Sequence, residues 1–112
     1  MKLDKVSFER MEQGFKTCDL RLMDDKRKLF QLGDQISFKL FPKLEHACLM
    51  EITGLLHYPD FTQLLNDIDV SWLGHEEKDR DWVEKTMYEI YSKEDEQENG
   101  VLGIRLRKVI AE

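Results

Sequence analysis

Positions 14 to 22 read GFKTCDLRL and set a lysine, an aspartate and an arginine at 16, 19 and 21 among apolar side chains. Those three types at that spacing can do chemistry. Partial desolvation beside an arginine disfavours an ammonium, so Lys16 can serve as a base near neutral pH. The Asp19 carboxylate can orient a water or accept a hydrogen bond from an exocyclic amine. Arg21 and Lys16 suit phosphate or carbonyl oxygens. A plainer reading stands beside these. Asp19 and Arg21 fall on one strand face, where an exposed ion pair is worth about 0–1 kcal/mol.

Other residues offer less. Lys26, Arg27 and Lys28, in MDDKRK, are either phosphate contacts or a solvated loop. Tyr58, after His57 at a strand end, can stack on a base or simply pack. His75 has no second histidine at helical spacing, so no metal is implied. Glu76 and Glu77 beside it suit a helix N-terminus. Arg105 and Arg107 alternate on the outer face of a strand. Cys18 and Cys48 show no metal-ligand spacing and are too few for a disulfide framework, so buried free thiols are expected.

The elements that must position these residues follow from periodicity. Asp4 or Ser7 caps a helix carrying Phe8, Met11 and Phe15, which Gly14 ends. A strand over residues 16–22 puts Cys18, Leu20 and Leu22 on one face and Thr17, Asp19 and Arg21 on the other. A Gly33-Asp34 turn leads into QISFKLF, and ACLMEITGLLHY forms a longer strand with Gly54 at a bulge. Asp60 caps a helix of Phe61, Leu64, Leu65 and Ile68. A second helix over 77–91 buries Trp82, Val83, Met87 and Ile90, and Trp72 packs as well. SKEDEQENG reads as a solvated acidic loop. GVLGIRLRKVI closes the chain as a strand with Leu102, Ile104 and Leu106 inward. The order predicts an α+β domain over 1–112, with a bent sheet or small barrel flanked by helices.

Bulk composition sets outer limits. The chain has 112 residues, of which 41% are hydrophobic and 36% charged, and its net charge is −6. Residues 1–60 balance ten basic against ten acidic side chains, while 61–112 carry seven against thirteen. Nucleic-acid binders draw affinity from phosphate neutralisation, so any such binding must use a local basic strip. No run approaches the roughly 18 apolar residues of a membrane span. No secretory segment opens the chain, and the free thiols suit a reducing cytoplasm.

GFKTCDLRLMDDKRKLFQLGDQISF resembles the signature of the ASCH family, small domains related to the PUA domain. That motif is Gly-x-Lys-x-x-Glu-x-Arg, followed by a basic loop and a Gly-Asp turn. Gly14, Lys16 and Arg21 match it, and Asp19 replaces the glutamate. HYPDFTQLL and EIYSKEDEQENGVLGIRL extend the likeness over nearly the whole chain. The resemblance implies a PUA-like β-barrel of about five to six strands, with a cleft near the motif. It implies RNA or nucleotide as partner, held by Lys16, Asp19, Arg21, Lys26, Arg27 and Tyr58. Some small bacterial members hydrolyse the amide of N4-acetylcytidine with the motif lysine, a threonine at the position of Asp19, and a downstream glutamate. For that chemistry the matching residues are Lys16, Asp19 and Glu77. No cofactor or metal is implied.

Overall fold

The computed structural model describes residues 1–43, 45–74 and 79–110. A two-residue strand β1 (Lys2–Leu3) leads into helix α1 (Lys5–Glu12). Phe8 and Met11 bury one face of α1, and Gly14 follows at φ +86°, a left-handed turn that a side chain resists. Phe15 is half exposed rather than part of that face. Strands β2 (Cys18–Leu22), β3 (Gln35–Leu40) and β4 (Ala47–Tyr58) come next, the β4 register slipping between Ile52 and Gly54 as the bulge reading requires. Asp60 caps helix α2 (Phe61–Asp67) through its carboxylate on Gln63 N, and Asp79 likewise caps α3 (Arg80–Ile90) through Trp82 N. Helix α4 (Lys93–Asn99) and strand β5 (Val101–Lys108) complete the order.

The five strands form one sheet in the order β1-β3-β4-β5-β2, with β1 parallel to β3 and the other pairs antiparallel. The sheet curls until its two edges meet. Arg21 Nη2, on β2, donates to the Lys2 carbonyl of β1 at 2.9 Å. This is a half-barrel left open along one seam. The C-terminal strand β5 runs between β4 and β2 in the interior of the sheet, and β1 and β2 form its edges.

Two cores flank the sheet. Leu3, Phe8, Met11, Ile36, Phe38, Met50, Leu102 and Ile104 pack with α1 on one face. Cys18, Leu20, Phe61, Leu64, Leu65, Leu73, Val83 and Val101 pack with α2 and α3 on the other. The period-2 alternation of β5 serves both, with Leu102, Ile104 and Leu106 in the first core and Val101 in the second. Both thiols are buried and free. Burial pushes the Cys18 thiol up to about 11, with Lys16 and Arg105 opposing and Asp19 adding to the rise, so it stays protonated and unreactive near neutral pH.

Two expectations are corrected here. SKEDEQENG is not a loop but α4: Ser92 accepts from Asp95 N, acids fill its first turn, and Glu96 is buried. Among the described residues the second helix begins at Arg80, and only Val83 is buried in it. Trp82 is 38% and Ile90 61% exposed, because α3 turns Val83, Met87 and Tyr88 toward the second core. Asp19 is buried, as a pocket role requires, while Thr17 and Arg21 on the same strand face are partly buried. No described helix is long and apolar enough to cross a membrane.

Candidate functional site

A cleft of about 220 Å³ follows the open seam. Lys2, Leu3 and Asp4 line it from the β1 side, with Ser7 from α1. Lys16, Asp19, Leu20 and Arg21 form its floor along β2. Val83, Met87, Ile90 and Tyr91 form an apolar wall from α3 and the residue after it, and Leu73 joins them.

The three motif side chains meet on that floor. Lys16 and Asp19 are each only 5% exposed. Arg21 Nε donates to Asp19 Oδ2 at 2.6 Å, and Lys16 Nζ stands 3.4 Å from Asp19 Oδ1. Lys16 Nζ also donates to the Cys18 carbonyl at 2.9 Å. Local backbone explains why Lys16 turns inward. An isolated bridge pairs Lys16 with Leu73, so both side chains point into the cleft while Phe15 and Thr17 point out. Gly74 sits against this bridge at φ +86°, where an added Cβ would lie 2.9 Å from Lys16 Cβ. Only glycine lets the lysine lie there.

Burial alone would push the Asp19 carboxyl up. The Lys16 ammonium, the Arg21 guanidinium and their hydrogen bonds outweigh it and hold Asp19 below the usual carboxylate range. For Arg21, burial works against the charged form, while Asp19 and then the Tyr91 phenol favour it, and the net effect is a rise. Two cations on one carboxylate leave the floor net positive. A depressed carboxylate stabilises the fold fully above its unfolded value of about 3.9 and loses that contribution as pH falls through the folded value. The urea midpoint is therefore expected to fall more steeply below about pH 4 than in an Asp19→Asn variant. Parallel acid limbs would show that the pair does not hold the carboxylate.

The remaining sequence candidates lie elsewhere. Lys26 is exposed and does not line the cleft, though its charge reaches the Met1 amine, which is lowered by burial and then by Arg21, Lys26 and Lys39. Arg27 is tied to Asp24 and Lys28 pairs with Asp25, so this loop partly neutralises itself. Tyr58 packs on the second core and its hydroxyl donates to Asp67 Oδ2 at 2.6 Å, away from the cleft. Arg105 lies over the Trp72 ring at 3.7 Å, and Arg107 pairs with Glu51. His75, Glu76 and Glu77 lie outside the described residues. Among those described, no group of three or more metal-binding side chains comes together. Sequence reasoning missed Ser7, Met87 and Tyr91. Tyr91 had one signal, its place in the Ile-Tyr pair; Ser7 had none beyond lying on the first helix.

The half-barrel is a fold shared with a solved ASCH domain and with other solved structures. The chain superposes on the crystal structure of hypothetical protein PH0355 with a TM-score of 0.79 and 21% identity, over 97% of this chain and 100% of that one. Protein PF0455 from Pyrococcus furiosus gives 0.71 and 17%, over 99% and 100%. The ASCH domain from Lactobacillus crispatus JV V101 gives 0.68 and 17%, over 92% of this chain and 70% of that one. No protein-family model matches the sequence, and no curated protein does.

Proposed function

We propose that the chain binds an unpaired nucleotide, free or within single-stranded RNA, in the seam cleft. The observation that carries this reading is the buried Lys16–Asp19–Arg21 cluster on the cleft floor. Buried ion pairs add little net stability, because desolvation offsets their attraction, and perturbed carboxylates in clefts mark functional sites. The net positive floor suits phosphate or base carbonyl oxygens. The apolar wall of Val83, Met87 and Ile90 suits the face of a heterocycle. The motif's likeness to ASCH domains points the same way.

The test is a titration with nucleosides, nucleotides and short single-stranded RNAs, followed by heteronuclear NMR at several salt concentrations. Shifts at Lys16, Arg21 and Tyr91, weakened by Arg21→Gln and by salt, are expected. Saturable binding that ignores Arg21→Gln and Lys16→Met, or no binding at all, overturns the reading.

One observation favours a second reading, hydrolysis of N4-acetylcytidine to cytidine and acetate. Ser7 brings to the cleft the hydroxyl that Asp19 lacks. Against it, Lys16 Nζ is already held by the Cys18 carbonyl and by Asp19 and is not directed at Ser7. Cytidine release lost in Ser7→Ala would establish the enzyme; no release removes it.

A further inference from the structure

The floor of the cleft is a strand edge, and its backbone is only partly used. In the β2–β5 ladder the Thr17 carbonyl accepts from Leu106 N at 2.8 Å, and Met23 N donates to the Gly100 carbonyl at 3.0 Å. With the register Cys18↔Arg105 through Leu22↔Val101, the odd-numbered residues of β2 therefore exchange their bonds with β5. Cys18, Leu20 and Leu22 turn their N–H and C=O groups the other way, into the seam. The opposite edge behaves alike. The Met1 and Leu3 carbonyls accept from Lys39 N and Phe41 N of the β3 side at 2.7 and 2.8 Å, so Lys2 turns its backbone to the seam.

Side chains close two of these positions. Lys16 Nζ meets the Cys18 carbonyl, and Arg21 Nη2 meets the Lys2 carbonyl, each at 2.9 Å. Between these two struts lies Leu20, which lines the cleft and is 6% exposed. By the same alternation its N–H and C=O point away from β5 and into the seam, and no side chain among the described residues bonds to them. Buried backbone groups are paired in more than about 90% of cases, so an open donor and acceptor on one residue at a pocket floor need a reason.

We infer that Leu20 reads the edge of an unpaired nucleobase, its N–H donating to a ring or carbonyl acceptor and its C=O accepting from the adjacent base N–H. On an extended residue these two groups point the same way and offer the two-bond pattern that an antiparallel partner residue would meet. The Watson–Crick edges of uracil, cytosine, adenine and guanine all present adjacent donor and acceptor atoms. Recognition is thus of an unoccupied base edge, and a base already paired in a duplex is refused. A peptide strand offers the same pattern but must run along the seam, where the Arg21–Lys2 strut crosses its path. The cleft offers about 220 Å³, enough for a heterocycle.

This inference rests on the base-binding reading, and its test separates the two. Uridine is compared with N3-methyluridine, and cytidine with N4,N4-dimethylcytidine; each methylated ligand loses the N–H that Leu20 would accept and stays neutral. The readouts are affinity and the backbone amide resonance of Leu20. For whichever parent binds, at least tenfold weaker binding of its methylated partner and a downfield Leu20 amide shift seen only with the parent are expected. Equal affinities with an unmoved Leu20 amide overturn the edge role and leave base binding standing. No binding by any nucleoside overturns both, and binding of an extended peptide in their place assigns the edge to strand addition instead.

Discussion

Replacing Asp19 with alanine is expected to cost about 3–5 kcal/mol of folding stability, the usual loss when one partner of a buried ion pair is removed. The reason is what remains. Lys16 and Arg21, both largely buried, would face each other without the carboxylate that now lies 3.4 and 2.6 Å from them. A domain of this size is stable by only about 5–15 kcal/mol, so the variant should unfold at much lower urea. A loss below about 1 kcal/mol would mean that the cluster behaves as an exposed pair. The decisive contrast is the triple variant Lys16→Met, Asp19→Leu, Arg21→Met. Replacing a whole buried cluster with apolar side chains is neutral or stabilising by about 1–4 kcal/mol. The triple variant should therefore fold at least as stably as the parent and bind no nucleoside. Such an outcome separates charges kept for a ligand from charges kept for the fold.

What could be read from sequence followed the strength of local periodicity. The α+β class, the Gly14 turn, the Gly54 bulge and the Asp60 cap all rest on backbone rules acting over a few residues, and the structure shows each of them. Alternation placed Asp19 and Arg21 on one face, but alternation cannot say whether that face meets solvent. Their burial comes from α1 and the chain around Leu73 closing over the β2 edge, a long-range effect without a local signature. The errors on α3 have the same origin. Apolar spacing names Trp82 and Ile90 as core, yet α3 fully buries only Val83 and leaves them exposed. Helix α4 differs in origin, because its start signal is local. Ser92 with Asp95 three residues on is a helix-start signal, and the acidic run masked it.

Glu96 in that acidic run leads to the second large effect. Its side chain is 5% exposed, and one oxygen, Oε2, accepts from both Phe61 N at 3.0 Å and Tyr88 Oη at 2.8 Å. Phe61 N belongs to the first turn of α2, where backbone N–H groups have no partner within the helix. One carboxylate thus ties α4 to the start of α2 and to α3. Glu96→Ala leaves both donors unsatisfied in a packed region, at about 1–3 kcal/mol for each, so a total loss of about 2–6 kcal/mol is expected in chemical denaturation. Glu96→Gln should lose far less, because a single amide carbonyl can replace the one oxygen that accepts both bonds. Tyr88→Phe removes one of the two donors, so in a double-mutant cycle with Glu96→Ala it should show coupling of about 0.5–3 kcal/mol. Were Glu96→Gln as damaging as Glu96→Ala, the negative charge itself would be the stabilising feature. The Lys93 ammonium, 5.0 Å from the centre of the Tyr88 ring, would then be the first partner to test.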